Sequence, residues 1–256
     1  MELILKELAG LELKGLYERD FLSLEGAGDQ ETAGVLAVAD ALELLRKRNY
    51  DLRIFASGLG LLAGERDMDF VGACDLLGLR PVRLEDGREE LPASAALADV
   101  IGVGVNGDLA QSREAAKGYE EGLLDQRPTV LALEAADGLA QLLWLIHQAD
   151  GVDNLRGALV AFDPGEEAPR PEADAETRKA LERLGAVVCS VDELFPNGKE
   201  GPQLHSWIIY TQGAKAMAWR RYRPYVIAAM IFLAKAPEPV KLLRELQRRA
   251  RPRRTI

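Results

Sequence analysis

Leucine and alanine recur at helical intervals over the first fifty residues, and beyond them short unbroken apolar runs alternate with helical patterns. The leucine spacing in "ELILKELAGLELKGL" predicts a helix over 2–16, with "YERDFLSLEG" as a linker after it. "DQETAGVLAVADALELLRKRN" predicts a long amphipathic helix over 29–49, with Asp29 or Thr32 as the capping residue. "DLRIFAS" reads as a short strand, and "RPVRLED", "ADVIGVGV" and "RPTVLALE" as three more. "ADVIGVGV" is apolar without alternation, which is the pattern of a parallel strand buried on both faces. The helices between them are a segment ending at Gly78 as its C′ residue, then "SREAAKGYEEGLL" and "DGLAQLLWLIHQAD".

After the turn-like "GVDNLRG" the alternation restarts, with "ALVAFD", "AVVCSV" and "SWIIYT" as strands and "ADAETRKALERLG" as a helix. "PGEEAPRPEADAE", rich in Pro, Ala and Glu, reads as a mobile loop within this half. "RPYVIAAMIFLAKA" is apolar on nearly every face and predicts a buried helix. The whole is an α/β chain with two mainly parallel sheets. Its boundaries are expected at 1–150 for a first α/β domain, 151–222 for a shorter second one, and 223–256 for C-terminal helices that return to the first.

The chain has 256 residues and a formal net charge of −9. An acidic surface argues against nucleic acid as a partner, since phosphate neutralisation needs a basic one. The basic tail "KLLRELQRRARPRRTI" stands apart and reads as a solvated amphipathic helix with a cationic end. The ten apolar residues of "YVIAAMIFLA" are too few to span a membrane. With no leader pattern either, the expectation is a cytoplasmic protein without a membrane partner. Cys74 and Cys189 lie in separate apolar runs without a CxxC, so they read as buried hydrophobes and not as a zinc site or a disulfide.

The stretch with most chemistry is "LGLLAGERDMDFVGACDLLGL", residues 59–79. A Gly-containing turn between an apolar strand and a helix is a place for phosphate, because free backbone N–H groups and the helix dipole favour an anion. Here the turn carries Glu65, Asp67 and Asp69 against the single cation Arg66. Those acids are either a solvated, dipole-favoured helix start or weak oxygen ligands for magnesium or calcium, without the spacing of an EF-hand loop. No other metal site and no cofactor is expected. "GVGVNGDLA" is Gly-rich after a strand but matches neither nucleotide-binding pattern. His147 reads as a core or helix-end residue. His205 and Ser206 are second-domain candidates, weak as a dyad because neighbours on a strand face opposite ways. Trp144, Trp207 and Trp219 read as core or subunit contacts.

Eight segments, in order, resemble the aspartate/ornithine carbamoyltransferase family, in its YgeW-like "knotted" branch: "YERDFL", "VADALELLRKRNYDLRIFASGLGL", "GACDLLGL", "ADVIG", "GYEEGLLDQRPTVLAL", "LIHQADGVDNLRG", "SVDELF" and "YRPYVIAAMIFLAK". The resemblance implies two carbamoyltransferase-type α/β halves, the second reduced, with the C-terminal helix packing back on the first. It also implies a trimer with shared active sites, and a place in amino-acid or purine/ureide nitrogen metabolism.

It further implies a carbamoyl phosphate loop, Ser-Thr-Arg-Thr-Arg, on Ala63, Gly64, Glu65, Arg66 and Asp67. Both family arginine positions hold acids, Glu65 and Asp67, and the hydroxyl positions hold Ala63 and Arg66. Turning attraction into repulsion there costs about 4 kcal/mol per charge pair at an intermediate dielectric. The third phosphate arginine is replaced by the pair Val103 and Gly104. The His-Pro-Thr-Gln motif falls on Glu134, Ala135, Ala136 and Asp137. The second domain's His-Cys-Leu-Pro motif and a long segment before the last helix, including part of the knot, have no counterpart.

The motif losses imply a non-catalytic pseudoenzyme, as a homo-oligomer or as a regulatory subunit beside an active paralogue. A degenerate ligand loop over Gly64, Glu65, Arg66 and Asp67 goes with it. One rival is an active carbamoyltransferase with a site rebuilt from Arg66, His205 or a neighbouring chain. Another is a sensor that binds a cation or amine at the acidic loop.

Overall fold

The computed structural model describes residues 1–11, 13–23, 29–84, 91–118, 120, 122, 126–151, 159–163, 171–184, 186–190, 207–211 and 216–248. It forms two compact units, the first made of Met1–Ala136 with Arg223–Ile256 and the second of Asp137–Tyr222.

The first unit opens with α1 (Glu2–Ala9) and a 3₁₀ turn (Leu13–Leu16), where one long helix was expected. The long helix α2 (Asp29–Lys47) follows. Thr32 does not cap it: the residue sits inside the first turns, buried, and its hydroxyl has no hydrogen-bond partner among the described residues. The rest of the unit alternates β1 (Leu59–Ala63), α3 (Met68–Leu77), β2 (Arg80–Arg83), α4 (Leu91–Ala95), β3 (Val100–Val103), α5 (Leu109–Lys117) and β4 (Thr129–Ala132). The four strands form one parallel sheet in the order β2-β1-β3-β4.

Residues 51–57 are not a strand. The backbone N–H groups of Ile54 and Phe55 both donate to the carbonyl of Leu77, at 2.9 and 3.0 Å, and so satisfy the C-terminus of α3 in place of a ladder. Gly78 ends α3 with φ 88°, the left-handed conformation expected of a C′ glycine. α5 starts three residues earlier than its pattern suggested, because Asp108 caps it by accepting from the Gln111 N–H at 2.9 Å.

Alternation along the strands divides the sheet's two faces. Leu61, Ala63, Ile101, Val103 and Val130 pack with Leu91, Ala95 and Ala98 on one side. On the other, Phe70 and Cys74 of α3 press onto Gly60 and Gly102, where an added Cβ would lie 2.5 Å from the Cys74 sulfur and from the Phe70 ring. Cys74 is fully buried, and burial with nearby Asp75 pushes its thiol pKa up to about 12, so it behaves as the inert hydrophobe its sequence context suggested.

Phe21 adds a parallel bridge beside Leu131 at the β4 edge. It is held there by Asp20, which accepts from the Val130 N–H at 2.9 Å and pairs with Arg127 at 2.8 Å.

The second unit contains most of α6 (Ala135–Gln148), then β5 (Leu159–Asp163), α7 (Pro171–Arg183), β6 (Val187–Ser190), β7 (Trp207–Thr211) and a 3₁₀ turn (Ala216–Tyr222). Its strands are parallel in the order β6-β5-β7. α7 takes in 171–176, the end of the stretch expected to be a loop, since Pro171 at its first position costs no hydrogen bond. A buried bond from the Thr177 hydroxyl to the Gln141 side-chain oxygen, 2.7 Å, joins α7 to α6.

The chain then re-enters the first unit as α8 (Arg223–Lys235) and α9 (Pro239–Arg248). α8 lies against α2 and α3, and every residue from Val226 to Ala234 is buried, as its all-apolar pattern required.

Candidate functional site

The loop between β1 and α3 meets the loop between β3 and α5 at the C-terminal ends of the strands. The sheet order 2-1-3-4 reverses direction between β1 and β3, and open α/β sheets bind ligands at such a point. Glycine makes the approach possible. Gly64 has φ 106°, and a Cβ on it would stand 2.6 Å from the Val105 carbonyl oxygen; a Cβ on Gly107 would stand 2.6 Å from that of Ala63. The two loops are tied by the Glu65 N–H donating to Val105 O, 2.8 Å, and by the Asn106 amide donating to Glu65 Oε1, 2.6 Å.

Asp67 is the N-cap of α3. Its Oδ1 accepts the backbone N–H groups of Asp69 and Phe70, both at 3.0 Å. The same oxygen accepts from Arg223 at 2.8 Å. Arg223 also reaches Asp69 Oδ2 at 3.1 Å and the Leu133 carbonyl oxygen at 3.1 Å. Only 8% of Arg223 is exposed. Burial raises the Asp67 pKa, but the hydrogen bond and charge of Arg223, with the two backbone donors, outweigh it and hold the carboxyl below its ordinary value.

The acids of this loop therefore have two fates. Asp67 and Asp69 are not the solvated face expected of them, since a buried guanidinium bridges both. Glu65 is exposed and turns to Asn106. The three carboxylates are not gathered as a ligand set: two share Arg223 and the third binds an amide. Arg66 is exposed on the loop. Val103 is buried at the end of β3, and a Cβ on Gly104 would lie 3.3 Å from the Glu65 carbonyl oxygen. Ala135 and Ala136 are buried at the start of α6. His205 and Ser206 lie outside the described residues. His147 is at the exposed end of α6 and stacks on Tyr222, ring centroids 5.1 Å apart, as a helix-end residue. Trp219 is half-buried, with the Arg220 guanidinium 5.9 Å from its ring centre.

Arg223 is the residue that sequence reasoning passed over. The signal was present: one arginine opens a helix that is otherwise apolar on all sides, and a cation so placed needs a buried counter-charge.

On the other side of Glu65 a cavity of about 300 Å³ opens among the strand ends. Ala63, Leu84 and Leu91 give it apolar wall, and Glu65, Arg83, Asn106, Asp108, Gln111 and Ser112 line it with polar groups. Among the described residues two exposed carboxylates, Glu65 and Asp108, line it with one exposed guanidinium, that of Arg83.

No family model matches the chain. In sequence it is 28% identical over 175 residues to YgeW of Escherichia coli (strain K12), provisionally named a carbamoyltransferase, and equally to its counterpart in Escherichia coli O157:H7. The match takes in 57% of this chain and 44% of the relative, so the chain spans under half the length of the curated relatives it matches. In fold it is similar to aspartate transcarbamoylase from Trypanosoma cruzi. The complex with N-(phosphonacetyl)-L-aspartic acid gives a TM-score of 0.61 at 10% identity, covering 87% of this chain and 98% of the enzyme. The carbamoyl phosphate complex gives 0.56 at 11% identity, covering 89% and 100%. At such identities the likeness is one of fold. With the YgeW match it agrees with the resemblance carried by the sequence segments, to the YgeW-like branch of the aspartate/ornithine carbamoyltransferases.

Proposed function

From this relationship to the YgeW-like carbamoyltransferases we propose that the chain is a non-catalytic member of the family, working as a homo-oligomer or as a regulatory subunit beside an active paralogue. Its setting in this reading is cytoplasmic amino-acid or purine/ureide nitrogen metabolism. One observation carries it. The start of α3, which the resemblance implies as the phosphate position, is filled by the chain's own carboxylate: Asp67 Oδ1 takes two α3 N–H groups and the Arg223 guanidinium.

A dianionic phosphate would have to displace that carboxylate. It would also meet Glu65 where the resemblance implies an arginine, with Asp69 nearby, at a cost of about 4 kcal/mol for each like-charge pair. Carbamoyl transfer needs donors aimed at the phosphate and at the carbamoyl oxygen, and the matching positions Glu134, Ala135, Ala136 and Asp137 supply none in kind.

Calorimetric titration of the purified protein with carbamoyl phosphate, with inorganic phosphate as control, tests the reading. No heat and no thermal stabilisation are expected. Micromolar binding would overturn it and favour an active transferase with a rebuilt site.

A further inference from the structure

We propose that Arg223 is a conformational clasp: one guanidinium ties both connections between the two units to the start of α3, and so stiffens them together. The proposal goes beyond the non-catalytic reading and does not depend on it.

The chain leaves the first unit after Ala136 and re-enters it at Arg223. The guanidinium meets both places. Through Nη2 it donates to the Leu133 carbonyl oxygen, 3.1 Å, just before the outward connection. Through Nη1 it donates to Asp67 Oδ1, 2.8 Å, and to Asp69 Oδ2, 3.1 Å. Its own backbone is the inward connection. All four residues belong to the first unit. An ordinary buried ion pair would need only the carboxylates. The third acceptor, on the other connection, is what makes the contact a clasp.

Each anchor is itself held. The Leu133 N–H donates to Val103 O at the end of β3, 2.9 Å, and Asp67 caps α3. Pro224 restricts the backbone in the first turn of α8. The planar fork of a guanidinium serves several acceptors in one fixed arrangement, and a buried N–H that loses its acceptor is costly. Slack at one connection therefore costs hydrogen bonds at the other. Burial also shields the contact from salt.

The outward connection lies inside α6, which has 14 residues. Its first two, Ala135 and Ala136, are buried in the first unit, and the rest belong to the second. Such a helix is about 21 Å long, so play at its root is magnified along it. The contact to Leu133 O acts at that root.

The test is the spread of distances between the units in the folded, full-length protein, read by double electron–electron resonance. Spin labels go on Leu97→Cys, exposed in the first unit, and Glu182→Cys, exposed on α7, in a Cys189→Ser background. Arg223→Met is expected to widen the distribution about twofold relative to the labelled parent, because the root of α6 is freed. Arg223→Lys keeps the charge without the fork and is expected to widen it less. Leu246→Ala empties a buried position in α9, away from the clasp, and is expected to leave the width unchanged although it lowers stability. The proposal is overturned if Arg223→Met leaves the width at the parent's value, or if Leu246→Ala widens it as much. Should Arg223→Met fail to fold, Arg223→Lys is held to the same two criteria. Carbamoyl phosphate binding would sink the non-catalytic reading and leave the distance result standing on its own.

Discussion

Asp67 Oδ1 receives three donors, two from the helix it caps and one from a buried arginine 156 positions later in the chain. That oxygen does locally what a bound anion would do. Removing the cation tests how much rests on the contact. Arg223→Met is expected to destabilise the protein by about 3 kcal/mol in urea titration, because two carboxylates are left without their counter-charge in a mostly buried place. An unchanged midpoint would mean that water compensates them. The same site sets an acid limit. Asp67 is held below its ordinary value of 3.8, so its contribution to stability is complete above that value and is lost as pH falls through the lower, folded-state value. Wild type should therefore lose more stability than Asp67→Asn between neutral pH and about pH 3. Parallel losses in the two proteins would remove Asp67 from the account.

At the scale of elements, the site depends on how α3 sits on the sheet. Gly60 and Gly102 lie two residues apart in register on the paired strands β1 and β3, and their missing side chains let Cys74 and Phe70 approach the backbone. This seating fixes the start of α3, and with it Asp67, against the first residue of α8. Gly102→Ala places a methyl 2.5 Å from the Phe70 ring and is expected to cost about 2 kcal/mol by overpacking. Adding Phe70→Leu should recover part of it, since the smaller side chain leaves room for the methyl. A double variant no more stable than the single one would show that the strain lies elsewhere. α8 matters equally: its apolar surface is buried against α2 and α3, so the arginine at its first position cannot move without moving the core.

At the scale of the molecule, the chain leaves the first unit after Ala136 and returns at Arg223, so the Asp67–Arg223 pair is closed by residues on either side of the whole second unit. Among the described residues no helix is long and apolar enough to cross a membrane. The family-based expectation of a trimer is tested by light scattering on the eluting protein, which should give the mass of three chains of 28.0 kDa. A monomer at all concentrations would remove the homo-oligomer from the proposed role, and a complex formed only with a paralogue would replace it by the regulatory subunit.

The sequence by itself determined the class of the fold. Continuous apolar runs between helical periods leave little besides parallel strands covered on both faces, and β3 and α8 show how direct that inference is. It also revealed the acids at the start of α3, through local charge alone. It misread residues 51–57, because an apolar alternating segment can satisfy its N–H groups at a helix end as well as in a ladder. It could not say what the acids do, since that depends on a partner far along the chain. Only the tertiary structure decided that Asp67 and Asp69 face Arg223 while Glu65 faces Asn106 and the cavity. The reason is physical: burial and pairing are properties of places that packing creates, and a one-dimensional pattern records only the residues that packing will bring together.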